Sequence, residues 1–222
     1  EGCLNRLGRD CVDVILLHNN ISQTRENNRM SPADVAVAAA ALQSVVAQGK
    51  ARFWGLNGLG DTDAVHEAVG ATHPFVIQSC YNMLNPSSGL PVPDSFPFQN
   101  YNGLMDRAEE AQIGVVAIRV LAAGALSGVT DRHAIAAQNV GPIGSGADYA
   151  QDVALAQAFD FLVEEGVVEN LIEAAIRFAI SNAKLSTAMV GLASFEQLEQ
   201  AVACGNKGAL PEDALERIKD IW

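Results

Sequence analysis

Hydrophobic positions along the chain follow two alternating spacings. Short, mainly apolar runs at Val12–Leu17, Arg52–Leu56, Pro74–Gln78, Gly114–Val120 and Thr187–Val190 read as strands, most of them buried on both faces. Between them, apolar residues recur three and four apart, as an amphipathic helix requires. This spacing predicts helices over Ala33–Gln48, over Leu104–Ala111, over Asp152–Glu165, over Glu169–Ile180 and over Ser194–Ala203. A further helix opens after Asp61, with Ala64, Val65 and Ala68 on one side, and Pro211 starts a terminal helix running to Ile221-Trp222. Punctuation agrees: Ser31-Pro32 suits an N-cap and first turn, while Gly8 and Gly49 suit positions just past helix ends.

Alternating strand and helix predicts an α/β fold with a parallel sheet and right-handed crossovers. A doubly wound sheet and a (β/α)8 barrel both fit this order. Polar residues at the ends of successive strands, His18, Asn57, Gln78 and Arg119, favour the barrel, whose sites collect at strand carboxyl ends. The expectation is a partial (β/α)8 TIM barrel, roughly the last five strands with their helices, forming a single domain over residues 1–222. The chain starts partway along a helix and without methionine, so an N-terminally truncated fragment is expected.

A net charge of −12 argues against nucleic-acid or anionic-membrane surfaces, yet leaves room for an anionic cofactor held by backbone amides. No signal peptide or membrane-length apolar run is present, and Cys3, Cys11, Cys80 and Cys204 form no CxxC pair. Reduced thiols and a cytoplasmic location follow as expectations. The histidines have no metal-ligand spacing, so no metal is expected. GxGxxG, Walker, GxSxG and HExxH patterns are absent. The Ala- and Gly-rich segment from Leu121 to Ala147 is long enough to suggest a functional loop.

Five motifs occur in a fixed order: Arg6-Leu-Gly-Arg-Asp leading to His18, Gln48-Gly-Lys-Ala-Arg-Phe-Trp-Gly-Leu56, Gln78-x-x-Tyr-Asn-Met-Leu84, Leu121-Ala-Ala-Gly-Ala-Leu-Ser-Gly128 and Gly191-Leu-Ala-Ser-Phe-Glu-Gln-Leu-Glu-Gln200. Each is weak alone. Together they resemble the aldo-keto reductases along essentially the whole chain, with departures similar to a bacterial aldose or sugar dehydrogenase-like branch. The resemblance implies hydride transfer between a nicotinamide cofactor and a small carbonyl, alcohol or sugar substrate, with NADP(H) preferred and NAD(H) as the alternative. It implies an Asp, Tyr, Lys and His active site, of which only His18 falls in this chain.

On the same resemblance, Gln78 and Asn57 hold the nicotinamide carboxamide, Asn57 standing where the family has serine and Gly58 where it has asparagine. Arg119 stacks on the nicotinamide or reaches a phosphate, unless it pairs with a buried carboxylate. Leu121 and Gly124 lie along the pyrophosphate. Gly191, Ala193, Ser194, Gln197 and Gln200 form the adenosine end, where Ala193 replaces a commonly basic or serine residue. Two other classes remain open at this point: a non-catalytic nicotinamide-binding subunit, and an unrelated barrel enzyme holding a sugar phosphate at the Gly191 loop.

Overall fold

The computed structural model describes residues 1–222. Its elements are α1 (Gly2–Leu7), β1 (Val12–Leu17), α2 (Pro32–Ala47), β2 (Ala51–Asn57), α3 (Thr62–Thr72), β3 (Val76–Cys80), α4 (Leu104–Glu110), β4 (Gly114–Ile118), α5 (Tyr149–Ala156), α6 (Phe161–Glu164), α7 (Leu171–Ile180), β5 (Thr187–Ala188), α8 (Phe195–Asn206) and α9 (Glu212–Lys219). Five strands form one sheet in the order β1-β2-β3-β4-β5. β1 pairs parallel with β2, matching Leu16 to Gly55, and β2 pairs parallel with β3, matching Asn57 to Gln78.

Contacts cluster into two compact units: Glu1–Ser79 with Leu104–Val116, and Cys80–Gly103 with Ala117–Trp222. The first unit buries Trp54, Leu56, Val65, Val69, Ile77 and Met105. Its α2 begins with a reciprocal cap: the Ser31 hydroxyl accepts the Asp34 N–H at 3.2 Å, and the Asp34 carboxylate accepts the Ser31 N–H at 3.1 Å. Gly55 lets β2 approach its neighbours, since a side chain there would overlap the Val76 carbonyl and lie 2.7 Å from Leu16 Cδ2. The second unit is built around Tyr81 and Phe178, stacked at 5.2 Å, with Trp222 edge-on to Phe178 at 6.0 Å. The Trp222 indole N–H donates to the Met83 carbonyl at 2.8 Å, which fixes the chain's last residue on this core.

Several boundaries differ from the sequence expectation for local reasons. β2 continues through Asn57, and β3 starts two residues later than expected, which places Gln78 mid-strand opposite the end of β2. β4 stops at Ile118 because Arg119 turns left-handed at φ 60. Asp61 stands at the N-cap of α3 without capping it, and its carboxylate instead accepts the Gln23 N–H at 3.1 Å. The expected Asp152–Glu165 helix is broken into α5, a 3-10 turn at Gln157–Phe159 and α6. The last strand shrinks to Thr187–Ala188.

Candidate functional site

In the first unit the site is made by the ends of β1 and β2 and the middle of β3. The Asn57 amide donates to the His18 carbonyl at 3.2 Å and to Asn20 Oδ1 at 3.0 Å. It is 3% exposed, and its own Oδ1 is buried without a partner. Across the register lies Gln78, 7% exposed, whose amide makes no hydrogen bond inside the protein. Buried amides normally find partners, because an unmet donor or acceptor costs about 1–3 kcal/mol. The unmet Asn57 acceptor beside the Gln78 amide, which bonds nothing in the chain, is the complement of a planar carboxamide, which donates through nitrogen and accepts through oxygen. Gly58 belongs to the same construction: its N–H donates to the Gln78 carbonyl at 2.8 Å, and a Cβ would collide with that carbonyl. The backbone that seats Gln78 therefore excludes the second amide that the family carries at this position. His18 is exposed and lines a polar basin of about 550 Å³ with Asn19, Asn20, Asn28 and Arg29.

In the second unit, β4 runs into a succession of left-handed residues, Arg119, Ala122, Ala123 and Gly124, with φ of 60°, 45°, 61° and 104°. The Ala122 and Gly124 N–H groups donate back to the Arg119 and Leu121 carbonyls, each at 2.7 Å, which closes the turn on itself. Ala122–Ser127 closes as a 3-10 turn where the sequence suggested an open loop. Beside it lies a groove of about 610 Å³, lined among others by Arg119, Leu121, Gly124, Gly191, Ala193, Gln197 and Gln200. Seven of the residues assigned from sequence to the phosphate and adenosine portions thus share one surface.

Ser194 is not in that lining; it caps α8, its hydroxyl accepting the Gln197 N–H at 3.3 Å. Gln197 Oε1 in turn accepts the Ala193 N–H at 2.7 Å. Arg119 pairs with no carboxylate; its Nη1 donates to the Gly141 carbonyl at 3.2 Å. Sequence reasoning missed Arg132. Its guanidinium lies 4.7 Å over the Tyr149 ring and donates to the carbonyls of Ala123 at 2.7 Å and Ala137 at 2.8 Å. A single arginine beside the glycine-containing turn was the only signal in the sequence.

None of the tyrosines is set up as a proton donor. Burial pushes Tyr81 up to about 12 against a weaker pull from the Asn182 amide. Burial likewise raises Tyr101, and the neighbouring Cys80 adds to the rise. Tyr149 donates to the Val129 carbonyl at 3.2 Å beneath Arg132. No cluster of three or more His, Cys, Asp or Glu side chains is placed to hold a metal ion.

With these features in place, the comparisons identify the class. The Aldo/keto reductase family model matches residues 1–222. The chain belongs to the aldo-keto reductase family, whose members use nicotinamide cofactors on small-molecule carbonyl or sugar substrates. Among solved structures it is similar to an aldo-keto reductase from Bacillus halodurans in its holo form, at 16% identity and a TM-score of 0.70, covering 99% of this chain and 64% of that one. The apo form of the same enzyme gives 16% and 0.68, covering 99% and 65%. A glycerol dehydrogenase from Gluconobacter oxydans gives 17% and 0.66, covering 98% and 60%. The chain spans less than two thirds of the length of these structures. No curated protein matches it.

Proposed function

We propose that the protein is an NAD(P)(H)-dependent oxidoreductase acting on a small carbonyl, alcohol or sugar, and that this chain supplies the last five strands of its barrel. The observation that carries the reading is the buried, unpartnered Asn57 oxygen beside the Gln78 amide, side by side across two parallel strands. Asn57 is itself held by His18 and Asn20, so its free oxygen is fixed in direction before anything binds. When bound, the nicotinamide supplies or accepts the hydride. His18 stands exposed at the end of β1, beside the polar basin, where an imidazole N–H can orient a substrate oxygen. Its carbonyl is tied to Asn57, which couples the histidine's backbone to the nicotinamide end.

Proton donation is not assigned to the tyrosines of this chain, two of which are pushed upward by burial; the family's Asp, Tyr and Lys are proposed to come from strands ahead of β1. The four unpaired cysteines support a reducing, cytoplasmic compartment, and no helix is long and apolar enough to cross a membrane. Titration of NADH and NADPH fluorescence against wild type and Gln78→Ala tests the reading. The variant is expected to lose about fivefold or more in affinity, one directional hydrogen bond's worth. Truncating this buried side chain also removes packing, so a fall of a few degrees in melting temperature is expected while unfolding stays cooperative. Equal affinities would remove Gln78 from the site.

A further inference from the structure

We infer that Asn20 sets the specificity of the site beside His18, its NH2 group selecting a neutral substrate that carries a hydroxyl next to the reacting carbonyl. The inference rests on the oxidoreductase reading above and names the substrate feature which that reading leaves open. It starts from the directions that two side-chain amides must take. The His18 carbonyl can only accept, so Asn57 turns its NH2 toward it, at 3.2 Å. The same NH2 donates to Asn20 at 3.0 Å, so Asn20 must present its oxygen there. The Asn20 NH2 is left on the outer side of its amide plane with no partner in the chain, and Asn20 lines the polar basin together with His18.

Backbone bonds hold that direction. The Asn20 carbonyl accepts the Met30 N–H at 2.9 Å. The next residue, Ile21, donates to the Leu59 carbonyl at 2.9 Å and accepts the Asp61 N–H at 2.8 Å. Gly60 permits this double bridge, since a Cβ there would overlap the Ile21 carbonyl. The Asp61 carboxylate adds a bond from the Gln23 N–H at 3.1 Å. Asn20 is thus set before a ligand arrives, which lowers the ordering cost of binding.

The lining decides what the basin can hold. Residues 18–20 and 26–29 line it, and none is apolar. An alkyl or aromatic substrate finds no apolar side chain to pack on, whereas hydroxyl and carbonyl oxygens meet amides and an imidazole. Glu26 and Arg29 bring opposite charges, on a chain of net charge −12, so the basin has no excess cation for a phosphate or carboxylate. His18 and Asn20 are joined through Asn57; with the imidazole on the carbonyl oxygen, the Asn20 N–H falls to an oxygen on the adjoining carbon.

Hydroxyacetone and butanone test this, since one carries a hydroxyl where the other carries a methyl. Their binding to the complete protein, with the strands proposed ahead of β1, is followed through the His18 ring signals by proton–carbon NMR, assigned with His18→Gln. Their reduction is followed through kcat/KM. Hydroxyacetone is expected to exceed butanone by about fivefold or more in both measurements. Asn20→Ala is expected to bring hydroxyacetone to within about twofold of butanone while butanone stays unchanged, whereas a merely structural role would weaken both ketones alike. Dihydroxyacetone phosphate is expected to bind no more tightly than hydroxyacetone. Butanone equal to hydroxyacetone, or tighter binding of the phosphate, would overturn the substrate feature. A hydroxyl preference that survives in Asn20→Ala would overturn the part given to Asn20. Hydroxyacetone shifting the His18 signals in a protein that binds neither NADH nor NADPH would overturn the oxidoreductase reading and leave the basin's selectivity standing.

Discussion

Single residues in β2 set what its neighbours can present. Gly55 and Gly58 both face backbone so closely that a Cβ would overlap a carbonyl, of Val76 in one case and Gln78 in the other. Their role is packing, since it is the absence of a side chain that lets β2 and β3 register Asn57 against Gln78. Gly55→Ala forces the strands apart or displaces Leu16, an overpacking cost of about 2–3 kcal/mol. The expected result is a fall of about 5 °C or more in melting temperature by circular dichroism. Because the register carries the amide pair, dinucleotide affinity is expected to fall as well. An unchanged melting temperature would show that the sheet accommodates the methyl and that this close approach is not a constraint.

At the scale of elements, α7 is held to the segment before α9 by a compact charge cluster. Glu173 is 2% exposed, accepts from Arg177 at 2.8 Å and from Lys207 at 2.7 Å, and accepts the Glu169 N–H at 3.1 Å. Burial raises its pKa, but the Lys207, Glu169 and Arg177 hydrogen bonds and the Lys207 charge outweigh it, so the carboxyl lies below its ordinary 4.5. A carboxyl depressed by folding adds stability that is present above its unfolded pKa and is lost as pH falls through the folded one. Thermal stability is therefore expected to decline as pH drops below about 4.5. Glu173→Ala is expected to cost about 3 kcal/mol at neutral pH, by leaving Arg177 and Lys207 without their shared acceptor, and to make the acid decline shallower than in wild type. A variant melting with the same acid profile as wild type would assign the acid sensitivity to other carboxylates.

How far the sequence could be read also depends on scale. Strands and helices were legible wherever apolar spacing was strong, and His18 and Asn57 were legible as polar residues at strand ends. Boundaries were less so: Gln78 falls mid-strand because Pro74 and Phe75 lie outside β3, and the helix expected over Asp152–Glu165 breaks at Gln157 with no glycine or proline to announce it. Arg132 and the closed hydrogen-bond set around Ser194 were invisible because they depend on loop conformation, which periodicity does not encode.

For the whole molecule, charge and an open strand act against each other. The chain carries a net charge of −12 with an isoelectric point near 4.6, so copies repel one another at neutral pH. In the 222-residue chain taken by itself, without the strands proposed ahead of it, β1 lies at an edge of the sheet order, paired with β2 on one side, and Val14 in its middle is 39% exposed. A strand edge offers a row of unpaired N–H and C=O groups to any chain that approaches. Its one acidic side chain, Asp13, is engaged with Arg52 at 3.0 Å, which reduces its value as a repelling charge. Association is therefore expected to be weakest near pH 7 in low salt, to rise with salt as repulsion is screened, and to peak near pH 4.6 where the net charge vanishes. Val14→Lys places a charge on the edge, a device natural sheets use against edge pairing, and is expected to raise the monomer fraction under the associating conditions by severalfold. Static light scattering of both proteins across pH and salt measures this. If the wild type stays monomeric at its isoelectric point, or if Val14→Lys associates as strongly as wild type there, then β1 is not the edge through which copies meet.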